Sequence, residues 1–302
     1  MIVSVSELKH RYGERTALAG ISFDVPEGCI FALLGPNGGG KSTLFRILAT
    51  VMAPTAGLAT VAGFDVTSQS AQVRRLVGVV FQSQSLDRKL TVGENLHAQG
   101  HFYGIYGAQL RDRIREVTAR LHLDTRVHDV VGNLSGGLRR RVEIAKALLH
   151  RPRVLLMDEP STGLDPAARR ELWQYIADLR SMGNVTVLLT THILDEADRA
   201  DQLALLHQGR IVASGTPAEL KARVGGDVVM LESADPGGLA ASIQSRFGVR
   251  AAASGTTLRV EIANGHRFIA EVVEAFPGAI QSVALHKPTL EDVFLDETGA
   301  AL

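Results

Sequence analysis

The chain has a single cysteine, Cys29, so no internal disulfide can form. That argues against an oxidised extracellular scaffold, which small secreted domains build from paired cysteines. There is no excess of either charge. Lys+Arg and Asp+Glu stand at 32 each, so no bulk field points to nucleic acid or to an anionic membrane surface. No uninterrupted apolar run approaches the roughly 18–20 residues of a membrane span. The opening MIVSVSELKHRYG lacks the basic start, apolar core and cleavage site of a secretory leader. Together these absences predict a protein that is cytosolic by itself and reaches any membrane through a partner. What is present is 302 residues, 45% of them apolar, enough for one large domain or one domain with a small companion.

Short apolar segments organise the first two thirds of the chain. CIFALLG (29–35), RVLLMDE (153–159) and TVLLTTH (186–192) are uninterrupted and end in polar chemistry, as central strands buried on both faces do. Helical patterns lie between them, which predicts an α/β layer architecture. Leu110, Ile114, Val117 and Leu121 share one stripe of a polar helix. The stretch from about residue 90 to 149 reads mostly as helix, an inserted helical subdomain. At TPAE, Thr216 is a helix cap, Pro217 takes the first helical position and Glu219 closes a capping box. That helix ends at Gly225-Gly226, the expected boundary between a first domain at 1–224 and a second at 227–302. The second reads as a strand (VVML), a helix (239–247), strands at 249–253 and 257–262, a helix (267–276) and a strand (279–286). This βαββαβ order predicts a small ferredoxin-like α+β module, and a dimerisation or regulatory appendage is the expectation for it.

The chemistry starts at GPNGGGKST. Gly35 to Ser42 fits G-x-x-x-x-G-K-[ST], with a strand before it and a helix after it, the context a phosphate loop requires. The loop Gly35, Pro36, Asn37, Gly38, Gly39 and Gly40 wraps phosphates, its glycines letting backbone N–H groups point inward. Lys41 neutralises the β and γ oxygens, Ser42 offers its hydroxyl to Mg²⁺, and Thr43 is expected among the ATP-binding residues. Asp158 and Glu159 close the apolar strand RVLLMDE. A carboxylate there can hold Mg²⁺ through water, and the next can polarise an attacking water. His192 ends TVLLTTH at the same sheet edge, within reach of a γ-phosphate. Gln82, after VGVVF, is a polar amide at another strand end, suited to bridging metal and water.

LSGGLRRRVEIAKALLHRPRVLLMDEPSTGLDP (134–166) resembles the signature-to-Walker-B stretch of ATP-binding-cassette (ABC) ATPases. The resemblance covers residues 1 to about 220, and the LSGG element separates this family from other phosphate-loop ATPases. It implies two nucleotide domains stacked head to tail. Each ATP would lie between one phosphate loop and the opposite chain's Ser135, Gly136 and Gly137, which stand at a helix start that suits an anion. It further implies Tyr12 stacking on adenine, Gln82 in the Q-loop (Gln84 is a competitor), Asp158 as Mg²⁺ ligand and Glu159 as general base. Asp165 falls in the loop that communicates across the dimer, and His192 matches the switch histidine. Two positions depart from the pattern: Leu138 replaces the usual signature Gln, and Gly39 stands where a small side chain is commoner. The Arg139–Arg141 run reads as a solvated helix face. The C-terminal module and PTLEDVFL (288–295) resemble the ATPase subunits of type-two ABC exporters, a group that includes drug- and antibiotic-resistance pumps. The resemblance therefore implies ATP and Mg²⁺, a homodimer, a separate membrane permease and no nucleic acid. An ABC importer ATPase and a soluble ABC ATPase are the alternatives.

Overall fold

The structure is a computed structural model and describes residues 1–181 and 185–299. The chain opens with β1 (Val3–Tyr12), β2 (Arg15–Val25) and β3 (Ile30–Leu34), followed by α1 (Lys41–Leu48), β4 (Ala56–Val61), β5 (Phe64–Asp65), α2 (Ser70–Leu76) and β6 (Val77–Val80). Three helices come next, α3 (Val92–Phe102), α4 (Gly107–Arg120) and α5 (Gly136–Leu148). Then follow β7 (Val154–Asp158), α6 (Pro166–Ser181), β8 (Thr186–Thr191), α7 (Leu194–Ala197), β9 (Gln202–His207) and β10 (Arg210–Gly215). The last third holds α8 (Pro217–Val224), β11 (Asp227–Glu232), α9 (Pro236–Phe247), β12 (Ala251–Ser254), β13 (Thr257–Ile262), α10 (Gly265–Ala275), β14 (Ser282–His286) and α11 (Leu290–Thr298).

The central sheet has the order β10-β9-β3-β8-β7-β6. Every residue of β3, β7 and β8 is buried, as the continuous apolar runs require of strands covered on both faces. β3 pairs in parallel with β8 and β9, and β7 pairs in parallel with β8 and β6. Leu34 sits opposite Thr191 and Asp158 opposite Thr190, so Gly35, Glu159 and His192 leave three adjacent strands at the same edge. Open parallel sheets bind ligands at that carboxyl edge. A second sheet, β2-β1-β4-β5, is antiparallel. It shares one core with α1 and the central sheet, in which Leu8, Leu18, Phe31, Leu44, Phe45 and Leu156 meet.

Between β6 and β7 the expected helical subdomain forms. Thr91 and Glu94 make a reciprocal capping box at the start of α3, and Leu110, Ile114, Val117 and Leu121 are all buried.

The chain divides into two compact units, Met1–Ser214 and Gly215–Leu302. The division lies ten residues before the expected Gly225-Gly226 boundary. The Thr216 capping box exists as read, but α8 packs against α11 and so goes with the second unit. Glycine punctuation marks where a helix ends, whereas packing decides which unit it joins. Elements of the second unit shift by a few residues from expectation. The first helix begins at Pro236 because Asp235 caps it, and the last strand begins at Ser282.

Within that unit the sheet runs β12-β13-β11-β14 with every pairing antiparallel, the ferredoxin-like order. Val229, Leu231, Leu258 and Val260 point to one face and pack with Leu239 and Ile243 of α9 and Phe268 and Val272 of α10. Strand alternation sends Val228 and Arg259 to the other face. There Arg259 Nε lies 3.0 Å from Asp292 Oδ1 of α11, whose Leu290, Val293 and Phe294 are buried. The PTLEDVFL segment thus adds a helix the βαββαβ pattern does not contain.

Thr289 and Asp292 close the capping box of α11. Burial works against ionising Asp292, yet the Thr289 N–H and hydroxyl and the Arg259 guanidinium hold its carboxyl below the usual range. A carboxyl depressed on folding stabilises above its unfolded pKa of about 3.9, and that stabilisation is lost as pH falls through the lower folded value. Thr289→Ala is expected to cost about 1 kcal/mol in urea unfolding. Asp292→Asn is expected to unfold more easily than the parent at pH 7, and the gap should narrow progressively below about pH 4.

Candidate nucleotide site

The phosphate loop joins β3 to α1, and close backbone approach dictates its glycines. A Cβ on Gly35 would lie 2.1 Å from the Leu206 carbonyl oxygen. One on Gly40, at φ 109°, would lie 2.5 Å from the Ala17 carbonyl oxygen. Neither position admits a side chain. Gly39 leaves only 3.1 Å between such a Cβ and the Pro36 oxygen, so the departure from the family pattern fits a tightly folded loop. Lys41 is buried, with Nζ donating to the carbonyls of Gly35 at 2.7 Å and Pro36 at 3.1 Å. Burial pushes its ammonium below the ordinary lysine value, while Glu159, 3.4 Å away, opposes that shift.

At the end of β7, Asp158 Oδ1 accepts from Ser42 Oγ at 3.2 Å and from Thr190 Oγ1 at 2.6 Å. Thr190 Oγ1 in turn accepts from the Glu159 N–H at 2.9 Å. Glu159 is only 7% exposed and sits at φ 45°, a conformation disfavoured for a residue with a side chain. Its carboxylate faces three groups: Lys41 Nζ, His192 Nδ1 at 3.4 Å, and the Thr162 hydroxyl, which donates at 3.2 Å.

A cavity of about 370 Å³ opens over the loop, lined by Tyr12, Asn37, Gly38, Lys41, Ser42, Thr43, Gln82 and Glu159 among others. Residues from four separate segments of the chain meet there. Tyr12 is 44% exposed at its rim, with its hydroxyl 3.5 Å from Thr43 Oγ1 and the His10 ring packed edge-on at 4.7 Å. Gln82 lines the cavity; Gln84 instead accepts from Arg88 at 3.3 Å. Arg15 and Arg46 also line it, two cations at a phosphate-sized opening that the motifs did not single out.

Ser135 caps α5, its hydroxyl accepting from the Leu138 N–H at 3.2 Å, and Gly136 and Gly137 form the first helical turn. None of the three lines the cavity of its own chain. The Leu138 side chain takes no part in the cap; its backbone N–H does. Asp165 is exposed and accepts from the Ala168 and Ala167 N–H groups at 2.9 Å, which hold its carboxyl below the usual range.

The expected solvated Arg139–Arg141 face is corrected at its centre. Arg140 is buried, with donors on Pro160 O at 2.6 Å, Phe81 O at 2.9 Å, Glu159 O at 3.2 Å and Glu143 Oε2 at 2.9 Å. Three charges in a row look like surface in a sequence, and only the packing of α5 against two loops shows otherwise. Glu196 was likewise missed. It is buried on α7 and accepts from the Ser161 hydroxyl and from Thr191 Oγ1 at 2.8 Å, joining the loop after Glu159 to the end of β8, next to His192.

A phosphate loop, a strand-end carboxylate pair and a histidine on neighbouring parallel strands define a phosphate-loop ATPase. Residues 18–162 match the ABC transporter family, and residues 215–298 match the C-terminal domain of DrrA1-3-like ATP-binding proteins. The daunorubicin resistance ATP-binding protein DrrA3 of Streptomyces coeruleorubidus is 38% identical over 98% of this chain and 96% of its own. The Nod factor export ATP-binding protein I of Ralstonia nicotianae is 40% identical over 99% and 94%. Among solved structures, an ATP-binding subunit of an ABC transporter superposes with a TM-score of 0.67 at 30% identity, covering 74% of this chain and 94% of that one. This chain belongs to the ABC transporter family, as one of its ATPase subunits.

The donor set would fit Mg²⁺: the buried Asp158 carboxylate, the Ser42 hydroxyl beside it and the Gln82 amide on the cavity wall all offer the oxygen ligands that ion prefers. Glu159→Gln is expected to lower the ATPase turnover number by roughly 10²-fold or more with the Kd for ATP little changed, measured by phosphate release and by equilibrium nucleotide binding. Unchanged turnover would remove Glu159 from the chemistry.

Proposed function

We propose that this chain powers export through a separate membrane permease, of a cargo in the drug, antibiotic or lipid class. In this reading it works as a homodimer on the cytoplasmic face of the membrane. The observation that carries the reading is the reach of the similarity. Relatives whose names specify drug resistance or export match both units, including the module at 215–298. No helix among the described residues is long and apolar enough to cross a membrane, so a coupled membrane step calls for another chain.

The site geometry supplies the chemistry. The N–H groups of the Gly35–Gly40 loop and Lys41 hold the β- and γ-phosphates, and the Tyr12 ring receives the base. Ser42, Asp158 and Gln82 hold Mg²⁺, which when bound stabilises negative charge on the phosphoryl oxygens. Glu159 accepts a proton from water, and His192 and Thr162 hold its carboxylate in place for that transfer. The Ser135–Gly137 turn lies outside the cavity of its own chain, which supports completion of the site by the same turn of a second chain. In this reading Asp165 joins the two sites. A dimer that binds ATP more tightly when closed draws its work from that difference in affinity, and the permease receives it.

Tagged Glu159→Gln protein captured from solubilised native membranes with Mg·ATP is expected to bring a multi-span membrane protein in near-equal amount. Recovery of soluble partners alone would contradict the export reading. Ser135→Ala should abolish turnover while leaving ATP binding to the single chain intact, at a cost of about 1 kcal/mol for the lost cap. Loss of binding as well would contradict the shared site.

A further inference from the structure

Arg140 stands on the helix that begins at Ser135 and reaches into the interior, only 5% exposed. Its guanidinium spends donors on three main-chain carbonyls from two different loops. Phe81 directly precedes Gln82, while Glu159 and Pro160 are the candidate general base and its neighbour. The remaining bond goes to Glu143, one turn along the same helix. Glu143 Oε1 accepts from the Ser85 N–H at 2.9 Å, and Lys146 Nζ donates to the Ser85 carbonyl at 2.7 Å. The Gln82 segment is therefore pinned to α5 at both ends, by Arg140 at Phe81 and by Glu143 and Lys146 at Ser85.

We propose that Arg140 is a positioning residue for ATP hydrolysis, setting the Glu159 backbone and the entry to Gln82 on the helix that carries Ser135–Gly137. The backbone around Glu159 needs such support. At φ 45° its conformation persists only if the surroundings over-determine it. Thr190 Oγ1 holds its N–H and Arg140 holds its carbonyl, so the peptide groups on both sides of the side chain are fixed from outside. Arginine suits the task through a rigid planar fork of five donors; a lysine ammonium is a single point and cannot serve carbonyls in two loops at once. Burial presses the Arg140 guanidinium below its ordinary value and pushes the Glu143 carboxyl up, and each partner's charge opposes the other's shift. One guanidinium thereby links the signature turn, the metal-bridging amide and the general base.

The proposal rests on ATP hydrolysis at this site, and its test reads both turnover and structure. Arg140→Met strips the buried Glu143 carboxylate of its guanidinium and destabilises, so Arg140→Met/Glu143→Gln is the decisive variant: it removes both charges and keeps an amide oxygen to accept from the Ser85 N–H. Arg140→Lys keeps the charge. In both Arg140→Lys and the double variant the turnover number is expected to fall by about 10²-fold, as a displaced catalytic group produces. The KM for ATP should stay within about threefold, since the phosphate loop is untouched. Hydrogen exchange of the ATP-free protein should quicken in segments 81–86 and 159–163 of the double variant, with the rest unchanged. That readout stands without turnover, so an inactive parent would count against the ATPase reading and leave the exchange result to decide on Arg140. Parental turnover in a double variant of parental thermal stability, or unchanged exchange in both segments, would overturn the proposal.

Discussion

The Asp158 carboxylate is the point on which the rest of the site depends. It is 5% exposed at the end of β7, and a single oxygen receives the Ser42 hydroxyl from α1 and the Thr190 hydroxyl from β8. A buried carboxylate without such partners is costly, so the strands and the helix must stop where these hydroxyls meet it. Register follows from the same requirement. β7 and β8 are buried on both faces and pair in parallel with Asp158 opposite Thr190, which places Glu159 beside Lys41 and within 3.4 Å of His192. A slip of one residue would turn Asp158 away from both donors.

Much of this was legible in the chain itself, because the phosphate loop and the strand-end carboxylates are local patterns. Three apolar runs predicted the three central strands, and their polar ends predicted the edge at which Gly35, Glu159 and His192 meet. The capping boxes at Thr216 and Thr289 differ in this respect. TPAE was readable as a cap, whereas PTLEDVFL was read as a family marker. Its physical work, packing against α8 and binding Arg259 of the small sheet through Asp292, appears only with the strand alternation of β13 in place.

What sequence reasoning missed shares one cause. Arg140, Glu143 and Glu196 are charged residues on helices, and charge on a helix reads as surface. Each is buried because its partners lie in loops or strands far along the chain: Phe81 and Glu159 for Arg140, Ser85 for Glu143, Ser161 for Glu196. No periodicity encodes such contacts. The unit boundary was displaced for a related reason, since α8 is claimed by α11, some seventy residues later, and not by its neighbours in sequence.

In the proposed dimer, the Ser135–Gly137 turn, which lies outside the cavity of its own chain, completes the nucleotide site of a second copy. The molar mass of Glu159→Gln protein in solution, measured by light scattering with and without Mg·ATP, reads this directly. The expected result is 32.4 kDa without nucleotide and twice that with it. A single-chain mass at saturating Mg·ATP would contradict a site shared between two copies.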